Sequence, residues 1–156
     1  MTTATITAPK PIIPFVGSIT AALKPLSEPL VRVTAGLFLM PHGAQKLFGL
    51  FGGYGPDATG QFFQAKLGLP PFMAVLAGMI EFFGGLALAV GLLTRPAAAL
   101  VAGLMAVAVL QVHLANGYFW TDLGYEFPLF WGLVAISFVI RGGGRYSLDN
   151  TIGREF

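Results

Sequence analysis

The amino-acid sequence predicts an all-α polytopic membrane protein, a four-transmembrane-helix bundle with both termini on the cytoplasmic side. Three observations carry that expectation. The 156 residues are 55% hydrophobic and only 10% charged, against about 25% charged in a typical soluble domain. Four apolar runs of 18 to 23 residues follow one another, and helices are the economical way to satisfy a backbone in lipid. The basic residues are divided unevenly between the two expected sides.

The elements follow in chain order. Met1–Glu28 reads as a cytoplasmic arm. It lacks a basic leader, and its apolar part is broken by Pro9, Pro11, Pro14 and Pro25, which argues against a signal peptide and for a short interfacial helix around Phe15–Leu23. The first span, Leu30–Leu50, holds Pro41 in its interior, which predicts a kink and a freed carbonyl just before His42. The loop Gly49–Pro70 is Gly-rich and then carries FFQAKLG, expected as a short helix lying on the membrane.

The second and third spans, Pro71–Leu93 and Pro96–Asn116, open on prolines in the first turn, where a missing N–H costs nothing. The outer loop Gly117–Asp122 has no basic residue, and Tyr118, Trp120 and Tyr125 suit an aromatic belt. The fourth span, Leu123–Ile140, stops after Arg141 at Gly142, Gly143 and Gly144. The organisation is therefore an arm over residues 1–28, a membrane domain over 29–149 and a tail over 150–156.

Lys10, Lys24, Arg32, Arg95, Arg141, Arg145 and Arg154 fall inside on this topology, and Lys46 and Lys66 outside. That asymmetry sets the N-in, C-in orientation. The net charge of +2 comes from scattered residues, which excludes nucleic acid as a partner and leaves membrane lipid, further subunits or a second copy of the chain. No cysteine is present, so any redox role uses a cofactor or a partner rather than a thiol.

The candidate chemistry centres on Glu81, the one charge in the 23-residue run Pro71–Leu93. A carboxylate in hydrocarbon costs at least about 2.5 kcal/mol on insertion scales, so Glu81 is expected to face a partner within the bundle. At about 1.5 Å per residue, His42 and Glu81 share a level near the midplane, while Lys46, His113 and Glu126 form a shallower outer tier. The inner half holds essentially no ionisable group beyond Arg32 near its rim, a residue read as a topology anchor. His42 and Lys46 are four apart and share a helix face. Gly78, Glu81 and Gly85 form a stripe that permits close helix approach. This geometry turns Glu81 toward His42 and Lys46.

A bland reading stands beside each sharp one. Glu81 also fits a structural clamp to a lysine, His113 an interfacial hydrogen bond, and Lys46 and Glu126 a solvated surface position. Together, two histidines and two glutamates can ligate a metal, relay protons or hydrogen-bond quinone carbonyls. No HExxH or comparable spacing occurs, and His42 and His113 differ in depth by about 7 Å. No metal or haem is therefore expected.

The segments RVTAGLFLMPHGAQKLFG, EFFGGLALAVGLLTRPAA, QVHLANGYF and GGGRYSLD, with the Glu126 helix start, make the chain resemble the DoxX family of small bacterial membrane proteins over roughly Val31–Asp149. Arg32, His42, Gly43, Lys46, Glu81, Gly85, His113 and Glu126 match that family's polar motif positions. The resemblance implies a four-helix inner-membrane protein, grouped with the DoxD-type subunit of thiosulfate:quinone oxidoreductase. On it, the chain is expected to be a membrane subunit of a quinone-linked oxidoreductase system. His42 and Glu81 would be its proton-handling catalytic pair, with Lys46, His113 and Glu126 lining a quinone site and Arg32, Gly43, Gly78 and Gly85 structural. The alternatives are a small transporter or permeability factor and a non-catalytic assembly or chaperone subunit.

Overall fold

The computed structural model describes residues 9–155, and every regular element among them is helical. The part of the N-terminal arm before Pro9 lies outside the described residues. Helix α1 (Pro14–Leu23) is short and contributes no buried residue. Helix α2 (Ser27–Phe48) runs 22 residues and holds Pro41 in its interior without ending there. Helix α3 (Gly55–Phe62) continues into a wide π-helical turn, Phe63–Leu67, which takes in most of the FFQAKLG segment.

Helix α4 (Phe72–Val90) and helix α5 (Thr94–Asn116) are each long and apolar enough to cross a membrane. A three-residue turn, Trp120–Asp122, leads to helix α6 (Glu126–Arg141) and the final short helix α7 (Leu148–Thr151). Gly49 and Gly91 end α2 and α4 in the left-handed conformation that a side chain would strain.

The fourth long helix begins at Glu126, three residues later than the expected Leu123. Leu123 itself takes a left-handed conformation (φ 61°). Gly124 then lies against the carbonyls of Gly117 and Phe119, where a Cβ would collide. The connection is thus a tight loop rather than a first helical turn. At 16 residues, α6 measures about 24 Å, shorter than the roughly 30 Å of a hydrocarbon core. Helix α2 is long enough but carries Glu28, Arg32 and Lys46.

The long helices pack in the order α2, α4, α5, α6. The most extensive contact is α2 on α4, followed by α5 on α6, while α2 and α6 touch only lightly. Leu39, Leu88, Ala97, Ala98, Val101, Met105, Ala135 and Phe138 form the core. Half of those eight are not large side chains: alanine supplies three and valine one, which lets the helix axes approach closely. The large apolar groups face outward instead, with Phe38, Leu100, Leu110, Leu133 and Ile140 each more than half exposed. Soluble proteins rarely present so much contiguous apolar surface. Lipid is the solvent that this surface fits, and the chain is a membrane protein.

At one end of the bundle the tail folds back and seals it. Arg32 is 1% exposed. It donates from Nη1 to the carbonyls of Leu88 (2.6 Å) and Ala89 (2.9 Å), in the last turn of α4, and from Nη2 to that of Tyr146 (2.7 Å) in the tail. A cation there meets the negative end of the helix dipole. Asp149 answers at the start of α5. Its carboxylate accepts from the N–H groups of Leu93 (2.7 Å) and Thr94 (2.9 Å) and from the Thr94 hydroxyl (2.7 Å), while its own N–H donates to Gly91.

This corrects two expectations. The end sealed by the tail holds a second ionisable group, Asp149, where Arg32 is expected to stand almost alone, and Arg32 is a buried tie between α2, α4 and the tail rather than a rim anchor. The physical reason is that backbone carbonyls and a residue 117 positions away (149 − 32) supply its surroundings, neither of which a helix-by-helix reading brings together.

Burial alone would raise the Asp149 carboxyl. The hydrogen bonds from Thr94 and Leu93 and the charge of Arg32 outweigh it and hold the group below its ordinary value. A depressed carboxyl stabilises the fold above the unfolded-state value, near 3.9, and loses that contribution as pH falls through the lower folded-state value. Thermal melts in detergent should therefore drop on acidification below about pH 4. Asp149→Ala should cost on the order of 3 kcal/mol at neutral pH by stranding two backbone donors and should flatten that acid limb. An acid limb unchanged in Asp149→Ala would show that another group controls it.

Candidate functional site

Helices α2 and α4 meet through glycines at two levels. Gly36 faces Gly85, where a Cβ on Gly85 would lie 2.8 Å from the Gly36 carbonyl oxygen. One turn or two along, Gly43 abuts the backbone of Phe82 and Gly78, and a Cβ on Gly78 would stand 2.8 Å from Leu47 Cγ and 3.1 Å from Lys46 Cβ. These contacts leave no room for any side chain larger than hydrogen. They also fix where the neighbouring side chains of the two helices can meet.

Lys46 and Glu81 meet there. The Lys46 ammonium donates to both carboxylate oxygens of Glu81, at 2.9 Å to Oε1 and 2.7 Å to Oε2, and lies 3.5 Å from the His42 carbonyl oxygen one turn back. The Glu81 side chain is 9% exposed and that of Lys46 is 23% exposed. The pair is thus deep on the acid side and open on the amine side. Glu81 sits in a π-helical turn, Ile80–Gly84, inside α4, a local widening that recurs at functional positions. Beside the pair, Phe48 and Phe82 meet edge to face with ring centroids 5.4 Å apart.

The other candidates lie elsewhere. The His42 side chain is on the exposed face of α2, and among the described residues only its backbone carbonyl engages Lys46. His113 Nδ1 is 2.6 Å from the Leu123 carbonyl oxygen, so Nδ1 carries the proton and donates. Asn116 donates to the same oxygen at 3.2 Å. Glu126 Oε2 accepts from the Trp120 N–H at 3.1 Å. His113 and Glu126 therefore both brace the α5–α6 loop through local bonds. Among the described residues no three potential metal ligands converge.

The cluster of Arg32, Thr94, Ser147 and Asp149 at the end sealed by the tail is the polar centre that reading the helices one by one misses. A signal for it exists. Arg32 lies near the start of an apolar run, where the demand for a partner that applies to Glu81 applies equally. The polar segment Arg145–Asn150, in which Ser147 caps α7 by accepting from the Asn150 N–H, is where that partner comes from.

A DoxX family model matches residues 29–114. Three relatives are similar to the chain. A protein of Bacillus subtilis named "Putative oxidoreductase CatD" is 32% identical over 120 residues, 77% of this chain and 82% of that one. The inner membrane protein YqjF of Escherichia coli is 29% identical over 129 residues, 81% of this chain and 92% of that one. An uncharacterized protein of Haemophilus influenzae is 38% identical over 81 residues, half of this chain and 60% of the length of that relative. No solved structure matches the chain.

If Lys46 and Glu81 act as a pair, removing either strands the other charge. Glu81→Gln and Lys46→Met should each destabilise the bundle by about 3–5 kcal/mol, and the double variant by far less than the sum. Thermal or denaturant unfolding in detergent of the two singles and the double reads the coupling directly. Additive losses would mean that the pair contributes no net coupling.

Proposed function

Because the chain belongs to the DoxX family, we propose that it is a multi-pass protein of the bacterial inner membrane, with four spans and both termini inside, acting as the membrane subunit of a quinone-linked oxidoreductase system. The orientation is supported by charge. Arg32, Arg95 and Arg141 gather at the end sealed by the tail, through the contacts Arg32–Tyr146, Arg95–Glu155 and Arg141–Glu28. Lys46 and Lys66 belong to the other half. The short α6 is accommodated by local thinning or by the flanking aromatic loop, at a modest cost per ångström of mismatch.

The observation that carries the chemistry is the Lys46–Glu81 pair, a charge pair between two apolar helices whose amine side is open. A bound quinone supplies two-electron, two-proton redox chemistry, and a partner subunit supplies the electrons, since the chain has no cysteine. The residues fit a quinone headgroup by donor chemistry. The Lys46 ammonium turns one N–H from the carboxylate toward a carbonyl oxygen. Glu81 holds a proton at Oε1 or Oε2 when that contact loosens. His42, one turn from Lys46, passes protons to and from the bound headgroup, and His113 and Glu126 keep the α5–α6 loop closed. Metal and haem have no part in this reading.

A second reading has its own observation. The carboxylate is satisfied at both oxygens by one ammonium, which is also what a purely structural clamp between α2 and α4 requires.

Cysteine introduced at Asp57 or at Asn150, both exposed in a cysteine-free chain, tests the topology. An impermeant maleimide on intact cells should label only the Asp57 position, and labelling at Asn150 alone would reverse the orientation. The quinone reading is tested by photolabelling the protein in lipid discs with an azido-quinone. Label should enter α2 or α4 and fall at least tenfold in Glu81→Gln and in the more stable double variant Glu81→Gln/Lys46→Met. Labelling that survives in the double variant sinks the quinone site and leaves the clamp.

A further inference from the structure

We propose that the end of the bundle closed by the tail carries a binding site for the phosphate of an anionic phospholipid, held between α1 and the segment after α6. An open cavity of about 330 Å³ lies there, lined by Ala21, Lys24, Pro25, Glu28, Arg141 and Arg145. Three cations face one anion in that lining. Arg141 is paired with Glu28 at 2.8 Å, whereas Lys24 and Arg145 have no carboxylate partner among the described residues. The cavity thus presents two uncompensated positive charges to whatever enters.

The position of α1 says what enters. Phe15, Val16, Ile19 and Leu23 are exposed on it, it buries none of its residues, and among the described residues its only substantial contact is with the turn that follows it. A short helix of this kind lies along a bilayer with its apolar side chains at the acyl boundary. Its C-terminal end, Ala21–Lys24, then stands at headgroup depth, and the anions present there are lipid phosphates. Arg145 is held at the cavity by the tail, with Asn150 donating to its carbonyl at 3.0 Å and its guanidinium 5.5 Å from the centre of the Tyr146 ring. Arg141 is already committed to Glu28, so Lys24 and Arg145 are the two groups left to bind the phosphate. The proposal needs the membrane but neither the quinone reading nor a particular orientation.

Unfolding of the purified full chain in neutral detergent, followed with increasing phosphatidylglycerol, with phosphatidylcholine of the same acyl chains, or with inorganic phosphate, tests it. Phosphatidylglycerol should raise the melting temperature saturably and the other two should not. Lys24→Ser combined with Arg145→Ser should weaken half-saturation about 30-fold, the effect of two basic groups near a membrane surface. Arg95→Ser, outside the cavity, should leave it unchanged. The charge-keeping pair Lys24→Arg with Arg145→Lys should retain selectivity and controls for misfolding. An equal response to phosphatidylcholine would make acyl chains the ligand, and a response to inorganic phosphate alone would make free phosphate the ligand. Either result overturns the proposal, as does selectivity that persists in the serine pair or fails in the charge-keeping pair.

Discussion

Hydrocarbon offers no hydrogen bond and no counter-charge, so an ionised side chain within an apolar bundle has to be answered by the protein itself. Arg32 and Glu81 are the two buried charges of the long helices, and they are answered in different ways. Glu81 has one partner, the Lys46 ammonium, and the two cancel as a pair. Arg32 has three backbone carbonyls, which bring partial charge only, so the nearby carboxylates of Glu28 and Asp149 supply the rest of the balance. One member of each arrangement comes from α2. That helix is consequently tied to α4 near both of its ends, and the order in which the helices pack follows from it.

The glycine contacts decide how close those ties can be. A Cβ at Gly43 or Gly36 would meet α4 backbone directly, which would push the helices apart by more than a hydrogen bond tolerates. The ammonium at 2.7 Å from Glu81 would then be left facing an unpaired carboxylate, at the cost of stranding a buried charge. Close packing and electrostatics are not separate contributions here. Glycine sets the distance at which the salt bridge exists, and the salt bridge is the polar reason for the helices to stay at that distance in a solvent that gives apolar surfaces no preference for each other.

Parts of this were legible in the sequence because they are local. The positions of the long helices follow from apolar runs and Pro or Gly boundaries, and the meeting of Lys46 with Glu81 follows from the helix face that Lys46 shares with His42 and from the need of a buried acid for a partner. Helix depth says little about rotation. His42 shares the approximate level of Glu81, yet its side chain faces outward, because Gly43 rather than His42 occupies the closest approach to α4. At the end sealed by the tail, the need of Arg32 for a partner was legible and the partners were not. The acceptors are carbonyls, which every sequence has, and the carboxylate of Asp149 lies after three glycines that look like the end of order. The start of α6 depended on Leu123 adopting a left-handed conformation, which apolar composition does not signal.

The two charged centres differ in access, and that difference bears on what each can do. Arg32 is sealed on all sides, so it holds the fold and has no route to a ligand. At the other centre the carboxylate is nearly closed off while the ammonium is partly open. A molecule arriving at that surface therefore meets the amine first. On the proposed quinone reading this order matters, because a proton placed on Glu81 removes the negative charge that holds Lys46 and leaves an ammonium in a low-dielectric setting without its counter-ion. Such an ammonium favours any nearby oxygen that is gaining negative charge, as a quinone oxygen does on reduction. Proton uptake by the acid and charge stabilisation by the amine would then be one coupled event, and a neutral residue at either position would remove both.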